Sequence, residues 1–397
     1  MTAISTEPRM APAFPLFERG FRPFFLLAGV HAALSLSAWL AVLQGWIAAP
    51  AGWPPATLHG HEMIFGFSGA ALAGFLLTAV PSWSKAGYLR GWKLALLVLL
   101  WIAARAAAAA GAEPTLYAAL DLAFIPALLA AVGPGIVARS FKRNGVILVV
   151  LGAILTANAA VHLSMLGVSF VSARWGNELG LALLVLLIAI IGGRIIPPFT
   201  VGGMRMAGRP VALDPAPWLD RAVIATTAAW AASMALDLTD IAVAIAATLA
   251  AFANAARLSR WRPLATLRVP LVWVLHLGYA WVVFGLAAAA GARFGLWPSA
   301  VALHALGAGG VATMILAVMS RASLGHTGRP LVATRTIAAA YLLVTIGAAG
   351  RVAASLFDSA SSLLLTGAGI AWAVGFLLYV VIYAPILCGP RADGRPG

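Results

Sequence analysis

Cysteine is nearly absent from this 397-residue chain, and the single one, Cys388, lies far along it. That scarcity excludes a disulfide framework, a thiolate zinc site and an iron–sulfur cluster. It also excludes covalent c-type haem, which needs two cysteines before a histidine. Any bound metal must rest on imidazole, carboxylate or thioether. Charge is the second scarcity. Charged residues make up 10% of the chain, against about 25% in soluble domains. A soluble fold of this length would need far more solvated surface, so that class is excluded. With no soluble domain to carry a basic patch, nucleic acid is not a partner, and the formal net charge of +14 needs another cause.

What remains is apolar. Hydrophobic residues are 62% of the chain and the mean hydropathy is +0.96. A helix needs about 20 apolar residues to cross a hydrocarbon core. On that rule the sequence predicts an all-α polytopic protein of twelve spans in lipid, forming one transmembrane domain over 1–397. The spans are 24–44, 59–80, 93–111, 115–139, 145–168, 177–197, 218–236, 239–257, 270–291, 298–319, 333–354 and 361–387. Arg9, Arg19 and Arg22 precede the first span, with no short apolar stretch and cleavage site before it, so it reads as an uncleaved anchor. Basic residues then recur in every second connection: Lys85, Arg90 and Lys93, then Arg139, Lys142 and Arg143, then Arg205 and Arg209. Arg257, Arg260, Arg262 and Arg268 follow span 8, and Arg321, Arg329 and Arg335 follow span 10. Arg391 and Arg395 come after span 12, while the opposite face carries only Arg105, Arg174, Arg293 and Arg351. The positive-inside rule places both termini in the cytoplasm. Most of the net charge therefore reports topology.

The spans fall into three tandem four-helix units, 20–143, 144–268 and 269–390. Spans 2, 6 and 10 each leave through a segment rich in Pro, Gly, Ser or Thr. These are Val80-Pro81-Ser82-Trp83-Ser84, Gly193-Arg194-Ile195-Ile196-Pro197-Pro198-Phe199-Thr200 and Ser320-Arg321-Ala322-Ser323-Leu324-Gly325-His326-Thr327. The repeat puts spans 2, 6 and 10 at equivalent positions around a shared interior.

Ionisable side chains inside a bilayer are costly, and those present usually serve function. By depth, His59 and His61 at the start of span 2, His304 in span 10 and His162 in span 5 form an outer level. His276 and His31 form an inner one, with His326 in a cytoplasmic loop. His59 and His61 are two residues apart, hence about 200° apart on a regular helix. Either His59 precedes the first turn, or the two serve different centres. Below His304, Gly307, Ala308 and Val311 share its face, a strip that admits a flat ring or simply a neighbouring helix. Glu62 and Glu178 begin spans 2 and 6 and are candidates for proton relay or for orienting an imidazole. Asp121 is the deepest acid and needs a partner. Asn158 shares a face with His162, and a polar packing contact would suffice for that pair, as it would for His31. Arg194 and Arg321, near His276 and His326, form a possible inner anionic site.

The chain resembles the NnrS family of bacterial membrane proteins. The resemblance runs through Arg22-Pro23-Phe24-Phe25, His59-Gly60-His61-Glu62-Met63-Ile64-Phe65-Gly66 and Gly74-Phe75-Leu76-Leu77-Thr78-Ala79-Val80-Pro81. It continues through Gly192-Gly193-Arg194 with Pro197 and Phe199-Thr200, Pro270-Leu271-Val272-Trp273-Val274-Leu275-His276 and Leu303-His304-Ala305-Leu306. It ends with Met319-Ser320-Arg321 and Leu324-Gly325-His326-Thr327-Gly328-Arg329-Pro330. The resemblance implies an inner-membrane protein with haem and copper, engaged in nitric oxide metabolism, denitrification and defence against nitrosative stress. On this reading His61 and His304 bracket one haem b, with Arg105 or Arg351 at its propionates. Copper rests on His59, helped by Met63, with His162 as the next candidate. Nitric oxide or a related small molecule is the ligand, and a quinol or another donor supplies electrons if the site turns over, as in nitric oxide reductases. The alternatives are a transporter of a metal, haem or a small acid, and a non-catalytic haem-based sensor or electron carrier.

Overall fold

The computed structural model describes residues 15–168, 170, 172–357 and 361–395, so Arg9 lies outside the described residues. Among these, twelve long helices and no strand are found. They are α1 (Phe21–Leu43), α2 (Pro55–Ser84), α3 (Trp92–Ala109), α4 (Pro114–Arg139), α5 (Phe141–Met165) and α6 (Ala173–Met206). After them come α7 (Pro217–Ala235), α8 (Asp240–Arg260), α9 (Pro270–Arg293), α10 (Ser299–His326), α11 (Arg335–Ala354) and α12 (Ser361–Cys388). Eleven are long and apolar enough to cross a membrane. The exception is α7, whose 19 residues include Asp220 and Arg221 in the first turns and a Thr226–Thr227 pair.

Local chemistry sets the helix ends. Proline opens α4, α7 and α9, where its missing N–H costs nothing. Ser172, Thr239 and Thr334 cap α6, α8 and α11 by accepting backbone N–H bonds. After α1 and α9 the chain turns through Gly45 and Gly295, both at positive φ, where a side chain would be strained. The expected exit loops of spans 2, 6 and 10 are instead helical. α2 runs on through Pro81, α6 through Pro197-Pro198, and α10 as far as His326. Neighbouring helices re-satisfy the backbone groups that proline frees. At its other end α2 starts at Pro55, four residues before the expected start, so His59 and His61 both lie within regular helix.

α2, α6 and α10 form the centre. Within their most apolar windows 78%, 72% and 67% of residues are buried, against 28% for α1. The three touch one another, and the other nine surround them, with α1 closing the ring against α12. Close approach depends on small residues. A Cβ at Gly180 of α6 would lie 2.6 Å from Phe65 of α2. α2 and α10 share one irregularity. Each passes through a π-helical turn, Glu62–Phe67 and Ala305–Val311, that begins directly after a histidine, His61 or His304. Such turns concentrate at functional sites.

The fully buried Arg22 guanidinium donates to the carbonyls of Leu387 (2.8 Å) and Gly389 (2.7 Å). The start of α1 and the end of α12 therefore sit at one end of the bundle. Arg22→Ala leaves these carbonyls unpaired. It is expected to cost about 1.5–3 kcal/mol, the range for hydrogen bonds to a charged group, read as a lower unfolding midpoint in lipid. An unchanged midpoint would show that α12 is anchored without Arg22.

Candidate metal centre

The two histidines of α2 diverge, as their spacing requires. His61 turns toward α4 and α5. It is fully buried, and its ligating atom joins those of Asp121 (α4) and His162 (α5) in a group whose members all lie within 4.8 Å of one another. Asp121 Oδ2 is the hub. It lies 3.3 Å from His61 Nε2 and 3.0 Å from His162 Nε2, and accepts from Asn158 Nδ2 at 2.7 Å. Its other oxygen accepts from Arg105 of α3.

A second carboxylate lies behind the first. Glu62 Oε1 accepts from the Tyr117 hydroxyl at 2.5 Å and is 3.2 Å from His61 Nδ1. Its Oε2 is 3.3 Å from Arg105 Nε and 3.2 Å from His31 Nε2. Arg105 thus spans Glu62 and Asp121. Two carboxylates and one guanidinium give −2 + 1 = −1 with neutral imidazoles. In that state the buried group favours a cation, either a metal ion or a proton on His61, which faces both carboxylates. Trp53 closes the site, its ring 5.1 Å from that of His61 and 5.2 Å from that of His162.

His59 belongs to a different group. It stacks on Trp39 at 4.8 Å, and its Nδ1 is buried without a hydrogen-bond partner. Its electrostatic neighbours are His304 of α10 and Arg351 of α11. His304 Nδ1 faces the Ala300 carbonyl at 2.8 Å, so it carries the proton and leaves Nε2 as an acceptor. Beyond His304, a Cβ at Gly307 would meet only Leu181, at 3.9 Å. The structure therefore groups His61 with His162 and His59 with His304. Among the described residues, no hydrogen bond or ring contact joins His61 to His304.

The remaining expected residues are engaged with other groups of the protein. Glu178 is held in ion pairs by Arg174 (2.7 Å) and Arg293 (3.9 Å), away from both groups. Arg105 is committed to carboxylates of the protein. Arg351 donates to Ser355 at 2.7 Å. At the end of the bundle that holds the start of α1 and the end of α12, His276 meets Thr200 (3.0 Å), and Arg194 donates to Asn144 and to the Arg143 carbonyl. Arg321 lies over the Phe199 ring, so no hydrogen bond or ion pair joins the three among the described residues. His31, expected at an inner level, reaches Glu62. It sits at the middle of α1, level with a histidine turn that lies deeper because α2 starts early. Tyr117 is a further member of the site, bonded to Glu62 and His61. Its signal in the sequence is the Tyr117–Asp121 pair, four apart like Asn158–His162, each placing two polar groups on one face of an apolar helix.

Compared with known families, residues 15–391 match the NnrS protein family. The chain belongs to the NnrS family. Among curated proteins no relative matches it. The NnrS match takes in all twelve helices and both histidine groups, so the family pattern covers the whole site.

Proposed function

We propose that this chain is a haem- and copper-binding protein of the bacterial inner membrane that binds or reduces nitric oxide, with both termini in the cytoplasm. The observation that carries the metal reading is the geometry of the buried His61–Asp121–His162 group, with the second buried carboxylate, Glu62, behind it. Two imidazoles and one carboxylate suit copper, which accepts nitrogen and oxygen donors. Glu62 against His61 Nδ1 supplies the carboxylate behind a ligating imidazole that fixes its orientation. His59 and His304 suit haem b. Both offer uncommitted ring nitrogens, Gly307 leaves space on the same helix, and Arg351 is a cation within reach of a propionate. This division replaces the expected one, in which His61 and His304 shared the haem and His59 held copper.

When bound, the metals would bind nitric oxide and exchange electrons with a donor such as a quinol. Reduction of two nitric oxide molecules to nitrous oxide and water consumes two electrons and two protons. The chain's own groups are placed to manage protons. The Tyr117 hydroxyl bridges Glu62 and His61 Nδ1, at 2.5 and 2.9 Å, and His31 meets the other oxygen of Glu62. Arg105 holds both carboxylates in place, and Trp53 shields the group from water.

Paired substitutions test the division, read by metal analysis and optical spectra of purified protein. His61→Ala or His162→Ala should remove copper and leave the haem spectrum. His59→Ala or His304→Ala should remove the haem spectrum and leave copper. Loss of one and the same group in all four variants would overturn the two-centre reading.

A further inference from the structure

Two adjoining cavities lie among the helices, the larger one partly open to the outside along half-buried residues such as Ile188 and Val318. The larger, of about 100 Å³, sits between α2, α6 and α10. It begins where both π-helical turns end, at Ser68 and Val311. Its wall is apolar, including Ile191, Met314 and Val318. The exception is Ser68, whose hydroxyl is spent on the Met63 carbonyl at 3.0 Å. The smaller, of about 10 Å³, lies between α2, α4, α5 and α6 and has Asp121 and Asn158 in its wall. Leu72 and Leu184 line both. These two leucines alone are common to the apolar chamber and the pocket beside the candidate copper ligands.

The chamber's chemistry selects its occupant. An anion or a quinone headgroup needs a donor, and the wall offers none. A porphyrin is far too large. An engineered apolar cavity of about 150 Å³ stays dry and takes benzene or xenon, so a chamber of this size suits a small uncharged gas. Leucine side chains can change rotamer without moving the helices, whereas a permanent opening would wet the buried charges.

We propose that the central chamber holds a small apolar gas molecule, and that Leu72 and Leu184 gate its passage to the pocket beside Asp121. Nitric oxide is the ligand class, and in this the proposal rests on the function assigned above. Xenon tests the chamber without metal. Full-length protein crystallised under xenon pressure should show xenon among Leu72, Leu184 and Met314, and Leu72→Ala should extend it toward Asp121. Metal-loaded, reduced protein tests the gate by the nitric oxide association rate. Leu184→Trp should slow association on the order of tenfold, as when binding must wait for a conformational change, and Leu72→Ala should raise it. Both should leave the equilibrium dissociation constant and the metal content unchanged, since a gate acts equally on entry and exit. Leu184→Phe serves if the larger ring prevents folding. An empty chamber under xenon would overturn the proposal, as would an unchanged association rate in metal-replete Leu184→Trp or Leu184→Phe. Absence of metal at His61–Asp121–His162 would refute the functional reading alone. The reach of xenon in Leu72→Ala would then decide the gate, and xenon confined to the chamber would overturn it.

Discussion

Arg105→Met is expected to be among the most damaging single substitutions in the molecule. The guanidinium is buried between Glu62 and Asp121, and methionine keeps most of its apolar volume while removing its charge. Counting the carboxylates and the guanidinium alone, the charge changes from −2 + 1 = −1 to −2 in the same low-dielectric space. Removing one partner of a buried ion pair costs about 3–5 kcal/mol, a large part of the net stability of many domains. The measurement is the yield and unfolding midpoint of purified protein in nanodiscs. Arg105→Met with Asp121→Asn leaves Glu62 alone, −1 as in the parent, and should recover much of the loss. If the double variant is no more stable than the single one, Arg105 acts through packing and not through charge.

Asp121→Asn should have the largest effect on metal content while preserving the helix bundle. Asparagine has nearly the same shape and can still accept from Asn158 through its oxygen. It has no negative charge to offer an ion, and its amide group competes with the two imidazoles. Copper is expected to fall to background in a protein that otherwise folds. Glu62→Gln makes the graded comparison. It keeps the Asp121 ligand and weakens the support behind His61, for which about 10–100-fold in affinity is usual, along with the pairing of Arg105 and His31. Competitive titration with a copper chelator would rank the two. If Asp121→Asn binds copper as tightly as the parent, the ligand set is misassigned, and the excess negative charge serves a proton instead.

The spans were readable because hydropathy dominates in lipid. Their limits were less so, because proline and polar residues signal a loop in water but continue as helix when neighbouring helices surround them. α6 through Pro197-Pro198 and α10 through Ser320–His326 are both cases. The divergence of His59 and His61 was one of two readings that their spacing allowed, and the early start of α2 at Pro55 decided it. Their partners were not legible. Which helix each faces depends on rotation about α2 and on the order of helices around the ring, and no local pattern encodes either. Asp121 was visible as an acid in need of a partner, but finding Arg105, Asn158 and His162 required three helices to be placed. Glu178 shows the converse. It has the residue type and depth of a site residue, yet Arg174 one turn before it already satisfies it.

The π-helical turns of α2 and α10 make each central helix two rods joined by a rotary coupling. A helix turns by about 100° per residue, so the extra residue in each π-helical turn sets the angle between the half that bears histidines and the half that lines the chamber. Deleting one residue within Glu62–Phe67 would let the lower half keep its packing while the upper half swings round. His59 and His61 would then point away from both of their present groups at once. The aim of both histidine groups relative to the chamber is therefore stored in the phase of a single helix.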